Sequence, residues 1–405
     1  MSTASRRQVL TGAAAGAAGV AAGYGLAAAP GPAPSPAPVP PGAAGERVDG
    51  ADTVPFHGPH QAGIATPAPA HAAFLGLDLR PGLGRDDVRR LLRVVTDDAA
   101  RLTQGRPALG DTEPELAAVP ARLTVTVGFG PGLFDRIGRA DRRPASVAVL
   151  PTFPGEHLQE RWSGGDLLLQ VCTDDPVTLA HTVRMLAKDS RDVATVRWVQ
   201  RGFRPARGSG PAGTTMRNLM GQVDGTVNPV PGTGAFDAAV WARGPAWFAG
   251  GTVLVLRRIR MDLETWDAFD REGKELVVGR RLDTGAPLTG RAEHDVPDLK
   301  AVDAHGFPVI DDLAHVRLAH AAVPAELMLR RGYNYDEGPA ADGTADAGLL
   351  FAAYQADAST AFVPVQRRLA ARDGLNRWVA HVGSTVFALP PGCAPGDHLG
   401  QALLD

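Results

Sequence analysis

Three short stretches of this chain carry side chains able to move a proton, hold a metal or stabilise an anion. The first is Asn218-Leu219-Met220-Gly221-Gln222-Val223-Asp224-Gly225-Thr226, with the spacing G-x-x-D-G. A carboxyl with an ordinary pKa of about 3.9 stays ionised in mildly acidic water, where a histidine base is already protonated, so Asp224 is suited to proton transfer there. The plainer reading is a turn in which Asp224 bonds nearby amides and Gly225 takes a positive φ. In a chain with 48 glycines the spacing alone does not choose between them. The second stretch, Asp312-Leu313-Ala314-His315-Val316-Arg317-Leu318-Ala319-His320, offers two imidazoles, each a metal ligand or an ordinary surface residue. The third, Leu327-Met328-Leu329-Arg330-Arg331-Gly332-Tyr333-Asn334-Tyr335, reads as a strand. Successive strand side chains take opposite faces, so only one of Arg330 and Arg331 can serve a given face.

Bulk composition narrows the chemistry. The chain has 405 residues, 44% of them hydrophobic, enough to bury a sizeable core. Lys and Arg number 41 against 44 Asp and Glu, for a formal charge of −3, and no polybasic run is present, so nucleic acid is not an expected partner. The two cysteines, Cys172 and Cys393, are too few for a disulfide framework and have no zinc-site spacing, although export would permit them to pair. Cys172 lies in an apolar run and reads as a buried thiol.

The first fifty residues read as an address and a tether. Ser5-Arg6-Arg7-Gln8-Val9-Leu10 precedes an uncharged Ala/Gly-rich segment ending in Ala27-Ala28-Ala29, the pattern of a cleavable signal peptide over 1–29. The paired arginines resemble a twin-arginine signal, which sends folded, cofactor-loaded proteins across a membrane; a general secretory signal is the other reading. The product is then extracellular, periplasmic or in the cell envelope. Residues 30–51 are a Pro/Ala-rich linker that stays extended. The folded domain is expected over 52–405.

The elements that must position the three stretches follow a repeated order. Strand Ala72 to Leu79, helix Asp86 to Leu102, strand Leu123 to Val127, strand Leu167 to Cys172, a helix opened by Asp175-Pro176 and running to Lys188, and strand Ala194 to Val199 make a βαββαβ unit. The order recurs after Gly250: strand Thr252 to Arg257, helix Leu263 to Phe269, strands Leu327 to Arg331 and Leu349 to Gln355, helix Phe362 to Ala371, strand Thr385 to Leu389. The fold class is therefore α+β, two ferredoxin-like halves over about 52–215 and 216–405. The unmatched pieces, Met216 to Pro229 and the insertion from about Glu272 to Ala325, are where function is expected.

The three stretches, in this order and separation, resemble the dye-decolorizing peroxidase family, and most of all its twin-arginine-exported branch that includes deferrochelatase/peroxidases. Gly58-Pro59-His60-Gln61-Ala62-Gly63-Ile64 and Phe362-Val363-Pro364-Val365-Gln366-Arg367-Arg368-Leu369 fit it as well, so the resemblance spans about Val54 to Leu404. It implies a duplicated dimeric α+β barrel-like sandwich around one haem b per chain. It also implies a haem-dependent peroxidase that reduces hydrogen peroxide and oxidises dyes, phenolics or other bulky donors.

Residue by residue, the resemblance makes His315 the proximal haem ligand and metal-binding residue, with His320 its rival, Asp224 the distal acid/base and Arg330 the distal arginine, with Arg331 its rival. A five-coordinate ferric haem needs one strong axial donor and an open opposite face. Arg330 is suited to hold Asp224 ionised and to stabilise negative charge as the O–O bond breaks. Gly221 and Gly225 are expected to let the backbone approach the porphyrin, and Arg317 to pair with a haem propionate. An acidic activity optimum follows from the use of an aspartate. Surface aromatics Tyr333, Tyr335, Tyr354 and Trp378 are candidate electron exits for donors too bulky to enter. The partners expected are peroxide, a reducing substrate and the twin-arginine export machinery, with self-association left open. A haem-binding protein that strips iron from haem, and a non-haem α+β binding module, are the competing readings.

Overall fold

The computed structural model describes residues 49–405. The expected signal peptide, and the linker as far as residue 48, lie outside the described residues. The chain joins the folded body at Asp49–Ala51, where the Gly50 carbonyl accepts a hydrogen bond from the Ala121 N–H (2.8 Å).

The first half consists of strand β1 (His71–Leu79), helix α1 (Arg85–Leu102), strands β2 (Thr124–Phe129) and β3 (Leu167–Thr173), helix α2 (Pro176–Ser190) and strand β4 (Ala194–Phe203). Helix α1 buries Val88, Leu91, Leu92, Val95, Ala99 and Leu102, the stripe its 3.6-residue period predicts. Helix α2 starts where Pro176 follows Asp175, whose carboxylate accepts the Thr178 N–H at 2.7 Å.

The second half has strand β5 (Thr252–Met261), helices α3 (Leu263–Asp267), α4 (Arg271–Val278) and α5 (His315–Ala319), strands β6 (Leu329–Arg330), β7 (Tyr333–Pro339) and β8 (Ala345–Gln355), helix α6 (Phe362–Arg372) and strand β9 (Val379–Leu389).

Every pairing is antiparallel, and the two halves share one strand order: β4-β1-β3-β2 in the first and β9-β5-β8-β7 in the second. They join edge to edge at two narrow seams, Phe129 opposite Ala388 and Phe203 opposite Asn334. Eight strands thus close on themselves and leave no long free edge. Strand alternation then sorts the side chains. Phe74, Leu168, Trp198, Leu256, Tyr333, Leu350, Tyr354 and Phe387 share one packed cluster inside the ring. On the first half, Leu75, Leu77, Val125, Val127 and Leu169 point outward into the core under α1 and α2.

Several boundaries differ from the sequence reading: β4 runs on to Phe203 and β5 to Met261, and β9 already starts at Val379. The strand expected over Leu327 to Arg331 instead begins at Leu329 and continues past Gly332. Leu329 lies opposite Tyr354, Arg330 opposite Ala353, Tyr333 opposite Leu350 and Tyr335 opposite Gly348, one unbroken register. The break at Gly332 is only local, because the Arg331 N–H still donates to the Ala352 carbonyl at 2.8 Å. No helix among the described residues is long and apolar enough to cross a membrane. Cys172 and Cys393 are both buried and unpaired.

Candidate active site

The outward face of the second half's sheet bears a cavity of about 510 Å³. Its floor is set by strand parity. Ile259 and Met261 of β5, Leu349 and Phe351 of β8 and, beyond the register shift at Val382 that turns β9 over, Val379 all face it, while Leu256 and Leu350 fill the ring. One wall is α5 with α6, the other the Asn218 to Val227 segment with Arg330.

On the first wall stands His315. Its Nδ1 lies 2.6 Å from Oδ2 of Asp373, whose Oδ1 accepts the Leu375 N–H at 2.9 Å. The carboxylate is only 4% exposed and is fixed at both oxygens, so it sets the ring's orientation and tautomer: Nδ1 carries the proton and Nε2 keeps its lone pair. Burial disfavours the charged imidazolium, but the Asp373 carboxylate outweighs it and holds the imidazole above its ordinary pKa. His315 lies deep in the protein, yet 34% of its side chain is accessible, and the cavity it lines is what makes it so. His320 also borders the cavity but sits exposed at its rim.

On the opposite wall the G-x-x-D-G stretch is a tight turn, closed by the bridge between Arg217 and Val223. The turn needs glycine, with φ +79° at Gly221 and +125° at Gly225. The amide-binding part expected of Asp224 is taken by Asn218, whose Oδ1 accepts the N–H groups of Met220 (3.1 Å) and Gln222 (3.2 Å). Asp224 is thereby left to face the cavity, its Oδ2 3.4 Å from the Asn218 amide and its Oδ1 4.0 Å from Nη1 of Arg330. Arg331 points the other way, into the ring, where it donates to the carbonyls of Ile64, Thr66 and Pro67. Register decides between the two arginines: Arg330 shares the outward face with Phe351, and Arg331 the inward one with Tyr354.

Two expected site residues fall outside the cavity. Arg317 is turned back on its own loop, donating to the carbonyls of Ile310 and Asp311, so it secures the turn that presents His315. Gly221 is at the back of its turn, its carbonyl accepting from Arg217 at 2.9 Å, while Gly225 does line the cavity. The four candidate aromatics are not at the surface: Tyr333, Tyr335 and Tyr354 are 0–1% exposed, and Trp378 is stacked on Phe269 at 5.0 Å. Each is core packing, which an aromatic side chain in an alternating strand favours over exposure.

Sequence reasoning missed Asp373, Asn218 and Arg280. Arg280 lines the cavity, is mostly buried, and spends Nη1 on the carbonyls of Gly285 (2.7 Å) and Glu293 (2.9 Å). Burial lowers its pKa, so an anion beside it would be favourable. Asn218 lies within the first stretch and acts on residues two to six positions on, whereas no local pattern marks Asp373 or Arg280; Asp373 meets His315 across 58 positions of sequence. Farther along the cavity His381, buried beside Arg257, has its pKa pushed down to about 3 and is neutral at working pH.

The doubled ferredoxin-like barrel thus sets a carboxylate-fixed imidazole, a donor suited to a metal-centred cofactor, in one cavity with an aspartate and an arginine suited to proton transfer and charge stabilisation. Comparisons agree. Residues 61–204 match the family model for the Dyp-type peroxidase N-terminal region, and residues 215–394 that for the C-terminal region. The chain is 45% identical over 360 residues to a dye-decolorizing peroxidase of Thermobifida fusca, covering 85% of this chain and 84% of the relative. It is 36% identical over 373 residues to a deferrochelatase of Escherichia coli K12, covering 86% and 87%. The crystal structure of a DyP-type peroxidase from Cellulomonas bogoriensis superposes with a TM-score of 0.86 at 54% identity, covering 89% of this chain and all of that one. The chain belongs to the Dyp-type peroxidase family: it is a haem-dependent peroxidase that consumes hydrogen peroxide and a reducing substrate.

Proposed function

We propose that His315 would hold a single haem b, that Asp224 and Arg330 are the groups that handle peroxide, and that dyes, phenolics or similar bulky donors are oxidised. The observation that carries this reading is the opposition of two pairs across one cavity, His315 with Asp373 and Asp224 with Arg330. The residues fit the group. An imidazole with its Nδ1 proton already committed offers Nε2 as a donor of raised basicity, and apolar Ile259, Leu349 and Phe351 suit a porphyrin edge. Arg280, in place of Arg317, is the cavity's candidate partner for a propionate.

Bound there, haem supplies the capacity to take two oxidising equivalents from peroxide and pass them on one at a time. The chain's own part is proton management. Asp224 would accept the proton of one peroxide oxygen and deliver it to the other, which leaves as water. Arg330, 4.0 Å from that carboxylate, stabilises the charge that builds on the departing oxygen. With an aspartate in the role, activity is highest in mildly acidic medium.

The test is the ultraviolet-visible spectrum of the purified mature protein, before and after one equivalent of hydrogen peroxide, beside His315→Ala. A Soret band that shifts on peroxide addition in the wild type and is lost or grossly altered in the variant supports the assignment; an unaltered band in the variant refutes it. The deferrochelatase relatives favour a second reading, release of iron from haem. Loss of iron from added haem would favour it; sustained turnover with intact cofactor would favour the peroxidase role. Ser5-Arg6-Arg7-Gln8-Val9-Leu10 supports export by the twin-arginine route to the periplasm, cell envelope or medium, and replacing Arg6 and Arg7 by Lys should trap the precursor inside the cell.

A further inference from the structure

Asp224 and Arg330 approach only to 4.0 Å, too far for a direct hydrogen bond to hold the pair. Their separation must be set elsewhere, and the backbone of Arg330 shows where. Because the Arg331 N–H bonds to the Ala352 carbonyl of β8, Arg330 occupies the alternate position, with its own N–H and C=O directed away from β8. Both groups meet one side chain. Asn228 donates from Nδ2 to the Arg330 carbonyl at 2.8 Å and accepts the Arg330 N–H on Oδ1 at 2.9 Å.

A primary amide presents a donor and an acceptor side by side, as a peptide does, so Asn228 stands in for the strand that β6 lacks on that edge. Pro229 follows it, which disfavours the helical region for Asn228 and keeps it extended. The guanidinium adds a third tie, donating to the Val227 carbonyl at 3.3 Å. The other side of the turn is anchored independently. The Asp224 N–H donates to the Met216 carbonyl (2.8 Å), and the hydroxyls of Thr215 and Thr226 both donate to Oε1 of Glu293, at 2.6 and 3.0 Å. The segment carrying Asp224 is thus held on its own account. Asn334, farther along the strand, ties its start by donating to the Arg217 carbonyl at 3.0 Å, and Asn228 is the side chain that fastens it to the backbone of Arg330 itself.

We propose that Asn228 is a positioning residue that sets the spacing of Asp224 and Arg330, and through it the speed of the reaction with peroxide. The proposal rests on the reading that those two residues act on peroxide. Its chemistry separates two substitutions. Asn228→Ala removes donor and acceptor together. Asn228→Asp keeps the acceptor, but an ionised carboxylate confronts the Arg330 carbonyl; once protonated, it is again a donor beside an acceptor, as the amide was.

The experiment uses the haem-loaded chain as wild type, N228A and N228D, with D224N and R330L as references. Three quantities are measured: the second-order rate constant with hydrogen peroxide, the KM for an anthraquinone dye, and the dissociation constant of fluoride, a ferric-haem ligand that accepts hydrogen bonds without turnover. N228A is expected to slow the peroxide reaction by up to about 10²-fold, the effect of a misplacement of roughly 1 Å. It should weaken fluoride binding about tenfold, with dye KM and haem content unchanged. N228D should match N228A near neutral pH and, as a ratio to wild type at the same pH, recover toward wild type as the medium is acidified. Peroxide rate and fluoride affinity within twofold of wild type in N228A would overturn the proposal, as would N228D tracking N228A at every pH. Failure of N228A to fold or hold haem would also overturn it, by making Asn228 a folding residue. If D224N and R330L themselves leave the peroxide rate unchanged, what fails is the reading of the site and not the clamp.

Discussion

Replacing Asp373 by Asn tests how much of the site's chemistry is built into its buried carboxylate. The exchange is nearly isosteric, and the Asn oxygen can still accept the Leu375 N–H, so the turn after α6 should survive, but the amide NH2 then faces Nδ1–H of His315 as a second donor and that hydrogen bond is lost with the charge. What is lost is the negative charge 2.6 Å from Nδ1 of His315, in a place only 4% exposed where water cannot replace it. A hydrogen bond to a charged group is worth about 1.5–3 kcal/mol, and more where desolvated. If His315 holds the haem as proposed, the charge would favour the ferric state over the ferrous one, because a more anionic imidazole is the better donor to the more highly charged iron. If the full interaction is felt differentially, the reduction potential of the loaded protein rises by roughly 60–130 mV, taking 59 mV per tenfold change for one electron. Haem affinity or peroxide reactivity should fall by about 10–100-fold, the usual effect of removing such a partner. Spectroelectrochemical titration of wild type and D373N reads the shift directly. A potential unchanged within about 20 mV, with haem fully retained, would show that the carboxylate is a structural cap and that the argument from its charge is wrong.

Other expectations are as concrete. Asp224→Asn should lower the second-order rate constant with peroxide by about 10²–10⁴-fold, the range for loss of a general acid–base group, while leaving the resting Soret band in place; stopped-flow absorbance measures both. Arg330→Leu should slow the same step, whereas Arg331→Leu, whose side chain holds the carbonyls of Ile64, Thr66 and Pro67 inside the barrel, should lower the melting temperature with less effect on the step; the reverse outcome would contradict the strand parity. Remote from the cavity, burial and the neighbouring Asp98 raise the Asp189 carboxyl to about 7, so the folded state binds its proton more tightly than the unfolded chain. Stability from that group is present at low pH and is lost as pH rises from about 4 through 7. Asp189→Asn should therefore raise stability by on the order of 1 kcal/mol above neutrality and by much less near pH 4, as read by thermal melts at the two pH values.

Local pattern reached far into this protein. Helices over Arg85–Leu102 and Pro176–Ser190, and strands such as His71–Leu79 and Leu167–Thr173, follow from periodicity and from Pro176 behind its Asp175 cap, because those signals arise between residues a few positions apart. The repeated order of elements was visible too, as were the three stretches holding Asp224, His315 and Arg330. Closure of the barrel was not legible. It depends on two seams, Phe129 with Ala388 and Phe203 with Asn334, where the pairing partners come from opposite halves of the chain and no spacing records them.

The same distinction runs through the site. Residue type limits which groups can ligate, transfer a proton or stabilise an anion, but an arginine at the surface, in a turn or in a cavity has the same letter. Arg317 and Arg280 therefore exchange places between expectation and structure, and four tyrosines and tryptophans expected at the surface prove to be core. Which of Arg330 and Arg331 faces the cavity is set by the register with β8, and of the two histidines bordering it His315 is the one backed by Asp373. Those are contacts between distant segments, made only when the sheet folds and its outward face is covered. Sequence supplied the chemical inventory and the local elements; tertiary packing decided which members of that inventory face one another across the cavity.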